Sequence, residues 1–97
     1  MRLTILYRDH SEHSRGVLEF VEMLRRRFPG AKPEMVDIDT RAGAAEASLR
    51  GISRYPAFIV TTYEGRALQQ WEGEPLPLID EVGGMLMQGE PLDLAVK

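Results

Sequence analysis

Residues 9 to 14 concentrate side chains that could do chemistry, in the order Asp-His-Ser-Glu-His-Ser. Two histidines three positions apart, each beside a carboxylate, could hold a divalent metal on one face of a helix. A histidine beside Ser11 or Ser14, oriented by Asp9, could activate a hydroxyl nucleophile. The chain has no third histidine to complete a metal site, and residues this close in sequence do not readily form a hydrolase triad. We therefore predict neither a metal nor a catalytic residue here.

The simplest role of these side chains is to start the helix that follows. Asp9 or Ser11 can cap its first turn, and Asp9 with Glu12 resembles a capping box. A hydroxyl at a helix N-terminus also occupies the position at which reactive thiols are activated. The chain has no cysteine, which excludes disulfides, thiolate catalysis, iron–sulfur clusters and cysteine-ligated zinc.

The bulk composition predicts one soluble domain. The chain has 97 residues, of which 43% are hydrophobic and 28% charged, enough for one modest core. The net charge of −3 gives no attraction to nucleic acid or to an anionic membrane, and no apolar run could span a bilayer. The first residues are typical of a strand rather than a signal peptide. We expect a cytoplasmic protein that binds neither nucleic acid nor membrane.

The hydrophobic pattern predicts seven elements in the order β-α-β-α-β-β-α. Strands are expected at 3–7, 35–39, 57–61 and 67–71, and helices from the 9–11 cap to 28, at 41–50 and at 78–86. The first two strands should be parallel because a helix joins them, and the last two should form a hairpin. This predicts an α/β fold with a four-stranded mixed sheet and helices on both faces. We assign residues 1–88 to the domain and residues 89–97 to a C-terminal tail.

Local signals end these elements. Three arginines, Arg25 to Arg27, complement the dipole at the end of the first helix, and Pro29-Gly30 stops it. Gly51 ends the second helix, for which Asp37 and Asp39 are candidate caps. Gly65 is expected at a positive φ in the hairpin turn. Gly83-Gly84 should weaken the last helix.

This order of elements, at this length, resembles the thioredoxin-like fold and is closest in size to the glutaredoxins. Three stretches support the resemblance: the turn into a helix at 7–21, the loop, proline and apolar strand of "ISRYPAFIV", and the closing hairpin "YEGRALQQWEGEP". The resemblance covers residues 2 to 87. The corresponding proline is cis in that family, which implies a cis bond between Tyr55 and Pro56.

In that family a Cys-x-x-Cys segment follows the first strand, and it maps onto Ser11-Glu12-His13-Ser14 to within one residue. Thiol–disulfide exchange needs a thiolate, so the family's redox activity does not transfer. The resemblance also implies a groove that takes an extended peptide through main-chain hydrogen bonds. We predict a module without enzymatic activity or cofactor that binds an unidentified protein or peptide. The expected groove residues are Ser11, His13, Ser14, Arg54, Tyr55 and Pro56.

Two other functions stay open. Glutathione transferases share this fold, and a Ser or Tyr hydroxyl stabilises their thiolate ligand, so Ser11 with the backbone at 55–57 could hold glutathione or another thiol. Against this, those enzymes carry a second, helical domain that is not in this sequence. The third function is structural: the sheet edge or Trp71 would mediate self-association, which a fully exposed Trp71 would favour.

Overall fold

The seven elements follow one another in the predicted order. A computed structural model of the chain describes residues 1–87, so the boundary at 88 and the predicted tail at 89–97 lie outside the described residues. The strands are β1 (Arg2–Tyr7), β2 (Glu34–Asp37), β3 (Ala57–Thr61) and β4 (Ala67–Glu72), and the helices are α1 (Ser14–Arg27), α2 (Arg41–Leu49) and α3 (Ile79–Met87). No helix within residues 1–87 is long and apolar enough to cross a bilayer.

The four strands form one mixed sheet in the order β2-β1-β3-β4. β1 runs parallel to β2, with Thr4 opposite Glu34, and antiparallel to β3, with Leu6 opposite Ala57. β3 and β4 form the predicted antiparallel hairpin, whose turn includes Gly65 at φ 98°. Because β1 and β3 are antiparallel neighbours, the chain leaving β1 and the chain entering β3 meet at one edge of the sheet.

Helices cover both faces of the sheet, as predicted. α1 and α3 pack on the face that presents Phe58 and Val60, and the rings of Phe20 and Phe58 have centroids 4.8 Å apart. α2 packs on the opposite face, which presents Leu6 and Ile59. All five residues of β3 are buried, so its continuous apolar run matches a strand that is covered on both sides.

The predicted caps of α1 are wrong. The helix begins at Ser14, and His13 at the N-cap position makes no side-chain capping bond. Asp9 instead accepts a hydrogen bond from the main-chain N–H of His10 at 3.0 Å. The Ser11 hydroxyl acts as a donor, to the carbonyl of Arg8. Both residues therefore belong to a separate turn that precedes the helix.

The predicted cap of α2 is also wrong, and the cap is Thr40. Its Oγ1 accepts a hydrogen bond from the Gly43 N–H at 3.0 Å and donates one to the Asp37 carbonyl at 2.6 Å. The Asp37 carboxylate accepts from the Asp39 N–H instead. This turn ends β2 at Asp37, two residues before the predicted end. Gly51 follows α2 at φ 67°, where glycine is favoured, as predicted.

Candidate functional site

Three segments meet at the sheet edge where β1 ends and β3 begins. The first is the turn of residues 8–13 that leads into α1, and the second is the loop 54–56 that enters β3. The third is the loop 73–76 after β4. Its Gly73 N–H donates to the Pro56 carbonyl at 2.9 Å, and Leu76 lies 3.9 Å from the position that a Cβ on Gly16 would take. We name these three segments the candidate groove, after the groove that the resemblance implies.

Three predicted site residues, two in the turn and one at the start of α1, form hydrogen bonds with the main chain of the turn. The Ser11 hydroxyl donates to the Arg8 carbonyl at 2.5 Å, and the Ser14 hydroxyl donates to the Ser11 carbonyl at 2.9 Å. His13 accepts a hydrogen bond at Nε2 from the Arg8 N–H at 3.0 Å. Each of these side chains is therefore hydrogen-bonded to the main chain of the turn, and both hydroxyls already donate their hydrogen to a carbonyl.

Charged side chains around the turn pair with near neighbours. The Arg8 guanidinium lies 3.3 Å from the Asp39 carboxylate, and the His10 ring lies 3.5 Å from the Asp9 carboxylate. Within residues 1–87 no cluster of three or more His, Cys, Asp or Glu side chains could hold a metal ion. His13 Nε2 is occupied by the Arg8 N–H, so His10 and His13 do not form a joint ligand pair through that atom.

The Tyr55–Pro56 peptide bond is cis, as the resemblance implies. Pro56 is fully buried, and its carbonyl accepts the Gly73 N–H. The Tyr55 side chain packs on the α2 face of the sheet, where its hydroxyl lies 3.3 Å from the Ile52 carbonyl to which it donates. The Tyr55 main-chain N–H and C=O have no hydrogen-bond partner in the described part of the chain. The backbone of Tyr55, rather than its ring, is therefore available to a ligand.

Arg54 packs against Gly73, a contact that the sequence did not predict. A Cβ on Gly73 would lie 2.8 Å from Nη2 of Arg54, and Gly73 also has φ 74°. Only glycine meets both conditions without a shift. Gly73 lies in the closing hairpin "YEGRALQQWEGEP", but its contact with Arg54 depends on tertiary packing.

The loop 73–76 contains none of the site residues that the sequence predicts. Leu76 is half-buried against the α1–α3 core, and Leu78 just beyond it is 71% exposed. The alternation of prolines and leucines in "GEPLPL" is a local signal for an apolar loop. That this loop reaches α1 follows from the path of β4 across the sheet.

Tyr7 lies at the end of β1, directly before the turn. Burial raises the pKa of its phenol, and the carboxylates of Asp9 and Asp37 raise that pKa further. The neutral phenol is thus the stable form here, because an ionised ring would lose hydration and face two negative charges.

Two features elsewhere do not contribute to the candidate groove. A cavity of about 420 Å³ opens at the opposite end of the sheet, where Leu3, Ala31 and Tyr63 are among its walls. Trp71 is half-buried and packs against the α1–α3 core. It therefore lacks the full exposure that would favour self-association through Trp71.

Comparisons with known proteins agree with this architecture. No protein-family model matches the chain, and no curated protein sequence matches it significantly. Thioredoxin 1 from Thermosipho africanus is 14% identical, with a TM-score of 0.66 over 100% of both chains. Thioredoxin from Fasciola hepatica is 18% identical, with a TM-score of 0.62 over 92% of this chain and 82% of that one. Thioredoxin O1 from Arabidopsis thaliana is 15% identical, with a TM-score of 0.66 over 90% and 75% of the two chains.

These similarities establish the fold, and the composition distinguishes the chain from a dithiol oxidoreductase. Its 97 residues contain no cysteine, and Ser11 and Ser14 occupy the positions onto which the resemblance maps the cysteine pair to within one residue. The chain has the thioredoxin-like fold without the Cys-x-x-Cys motif.

Proposed function

We propose that the chain is a redox-inactive, cytoplasmic binding module that takes an extended segment of a protein or peptide in the candidate groove. The observation that supports this most is the main chain of Tyr55, whose N–H and C=O have no partner within residues 1–87. A free donor and acceptor on one residue can pair with an extended peptide as an added strand would.

The surroundings of Tyr55 favour this mode of binding. The cis Pro56 is buried, and its carbonyl is fixed by Gly73, so the backbone before it is held in place. Arg54 rests on Gly73, which limits its conformations. The turn formed with Ser11, His13 and Ser14 provides the facing wall. A preorganised backbone lowers the entropy lost on binding.

A thiol ligand held at Ser11 has less support. The Ser11 hydroxyl donates to the Arg8 carbonyl, and a thiolate would have to replace that acceptor. A glutathione titration followed by amide chemical shifts separates the two functions. Saturable shifts confined to 11–14 and 55–57 would establish the thiol site, whereas our proposal expects none at millimolar glutathione.

The proposal is tested with peptides selected on the wild-type chain from a displayed random library. We expect a selected peptide to lose at least about tenfold in affinity, equivalent to ~1.4 kcal/mol, when the amide that faces the Tyr55 carbonyl is N-methylated. Methylation of the next amide, which points away in an extended peptide, should have little effect. Calorimetric titration measures both affinities.

Matched protein variants complete the test. Tyr55→Ala and Pro56→Ala should each lower the affinity for the peptide, because each removes packing that fixes the backbone with the free N–H and C=O. Tyr63→Ala is the control, since this exposed tyrosine lies at the far end of the sheet. Failure to select any peptide, or equal affinities for all variants, would refute the proposal.

A further inference from the structure

The turn between β1 and α1 is closed by an imidazole that acts as an acceptor. The Arg8 N–H donates to Nε2 of His13 at 3.0 Å. A main-chain N–H can only donate, so Nε2 must carry its lone pair. The closed turn therefore requires the neutral ring with its proton on Nδ1.

This bond ties the turn to the first turn of α1. The carbonyl of His13 accepts the Val17 N–H at 3.1 Å, and the carbonyl of Ser11 accepts the Ser14 N–H at 3.2 Å. The same turn holds His10 at φ 58°, a left-handed conformation that is unfavourable for a residue with a side chain. The closed form thus depends on hydrogen bonds that offset an unfavourable backbone.

Protonation at Nε2 would place a second N–H against the Arg8 N–H. No hydrogen bond or ion pair joins a carboxylate to His13 in the described residues, so a cationic ring gains no partner in this geometry. The charge would also lie at the positive end of the α1 dipole. The charged and titratable groups of the surrounding segments lie on four parts of the chain. They are Tyr7, Arg8, Asp9, His10, Glu12 and Arg15 on the turn side and in the first turn of α1, Asp37 and Asp39 after β2, Arg54 before β3, and Glu74 in the loop 73–76.

We propose that His13 is a proton-operated latch, which closes the 8–13 turn when its ring is neutral and opens the turn when Nε2 is protonated. The sign follows from the bond: the closed turn needs the unprotonated ring, so acid favours the open turn. Histidines take up a proton between about pH 8 and pH 5. If the candidate groove binds peptide as proposed above, opening of this wall should weaken that binding in the same pH range.

Amide NMR of the full chain from pH 8 to pH 5 tests the latch without any ligand. We expect the Arg8 amide to shift with the same midpoint as the His13 ring carbons, and its hydrogen exchange to accelerate at least tenfold in the protonated state relative to the intrinsic rate. His10→Asn is the control, because that ring is 92% exposed and asparagine also tolerates the positive φ of this position. An Arg8 amide whose chemical shift and exchange rate do not change as the His13 ring is protonated would overturn the proposal.

Two variants separate the latch from a general loss of structure. His13→Gln retains a possible acceptor that does not titrate, so the Arg8 amide should no longer respond to this pH range. His13→Phe removes the acceptor and should leave Arg8 in the open state at every pH. A pH response of the Arg8 amide that persists in His13→Gln would also overturn the latch.

The link to binding has its own readout. For a peptide selected on the wild-type chain, we expect the affinity to fall at least about threefold from pH 7.5 to pH 5.5, and to be flat in His13→Gln. A pH-independent wild-type affinity would overturn the link between the latch and the groove. Absence of peptide binding at every pH would refute the proposed function. The pH response of the Arg8 amide would still test the latch, because that measurement needs no peptide.

Discussion

The side chains that precede α1 and α2 bind different parts of the main chain: Asp9 and Ser11 form hydrogen bonds within the 8–13 turn, whereas Thr40 accepts one from the first turn of α2. Ser11 and Asp9 look like caps because each precedes an amphipathic pattern, yet both are used inside the preceding turn. Thr40 is the cap that the structure shows. A capping side chain must have an extended backbone and a free N–H two or three residues ahead, and sequence spacing alone does not fix either condition.

Removal of the Thr40 cap should have a measurable cost. We expect Thr40→Ala to lower the free energy of unfolding by ~1 kcal/mol, since the Gly43 N–H and the Asp37 carbonyl both lose a partner. Asp9→Ala is the control, with an expected change within about 0.5 kcal/mol, because Asp9 caps no helix. Urea denaturation measures both. A larger loss for Asp9→Ala than for Thr40→Ala would contradict this assignment.

Tyr7 should make the stability depend on alkaline pH. Its pKa is raised in the folded chain, chiefly by burial and then by Asp9 and Asp37, so the folded state holds the phenolic proton more tightly than the unfolded state does. The resulting stability is present below about pH 10 and is lost as the pH rises through the folded pKa. Tyr7→Phe should remove this dependence.

Denaturation midpoints between about pH 9 and pH 11 measure the effect of Tyr7. The wild-type chain should lose stability relative to Tyr7→Phe as the pH rises. The matched control is Tyr63→Phe, which alters an exposed ring at the far hairpin. Identical pH profiles for the wild-type chain and Tyr7→Phe would show that burial and the two carboxylates do not act on this phenol.

At the scale of elements, the order and most boundaries could be predicted because their signals are local. Short apolar runs mark β1 and β3, a period-3.6 pattern marks α1, and Gly51 and Gly65 mark turns by their need for positive φ. The direction of the Tyr55 side chain could not be predicted in this way. It depends on how α2 covers the sheet, which no pattern near Tyr55 encodes.

The two adjacent glycines of α3 illustrate the same limit. The sequence predicts that both weaken the helix, but the structure separates them. A Cβ on Gly83 would lie 2.1 Å from the Phe28 ring, whereas a Cβ on Gly84 would meet nothing within 4 Å. Gly83 permits the close approach of α1 and α3, and Gly84 has no such role.

Alanine at these two positions should therefore have opposite effects. We expect Gly84→Ala to stabilise the fold by up to ~1 kcal/mol through helix propensity. Gly83→Ala should destabilise it by ~1–3 kcal/mol through overpacking against Phe28. Thermal and urea unfolding measure both variants. Equal effects of the same sign would mean that α3 does not pack on Phe28 as described.

For the whole molecule, the antiparallel pairing of β1 and β3 is what creates the candidate groove. It brings a turn and a loop that are more than 40 positions apart in the chain to one edge of the sheet. The resemblance predicted this meeting, but the contribution of Gly73 and Leu76 depends on the return path of β4. Within residues 1–87 the groove presents the unpartnered N–H and C=O of Tyr55, and with no cysteine in the chain it lacks the thiols of a dithiol oxidoreductase.

The most direct test of the peptide-binding function is the hydrogen exchange of the Tyr55 amide with and without a selected peptide. We expect a saturating peptide to slow exchange at Tyr55 at least about tenfold, because that N–H gains an acceptor, while Tyr63 and Gly65 at the opposite end stay unchanged. Saturable peptide binding that leaves Tyr55 exchange unaltered, or that protects only the far end of the sheet, would contradict the account.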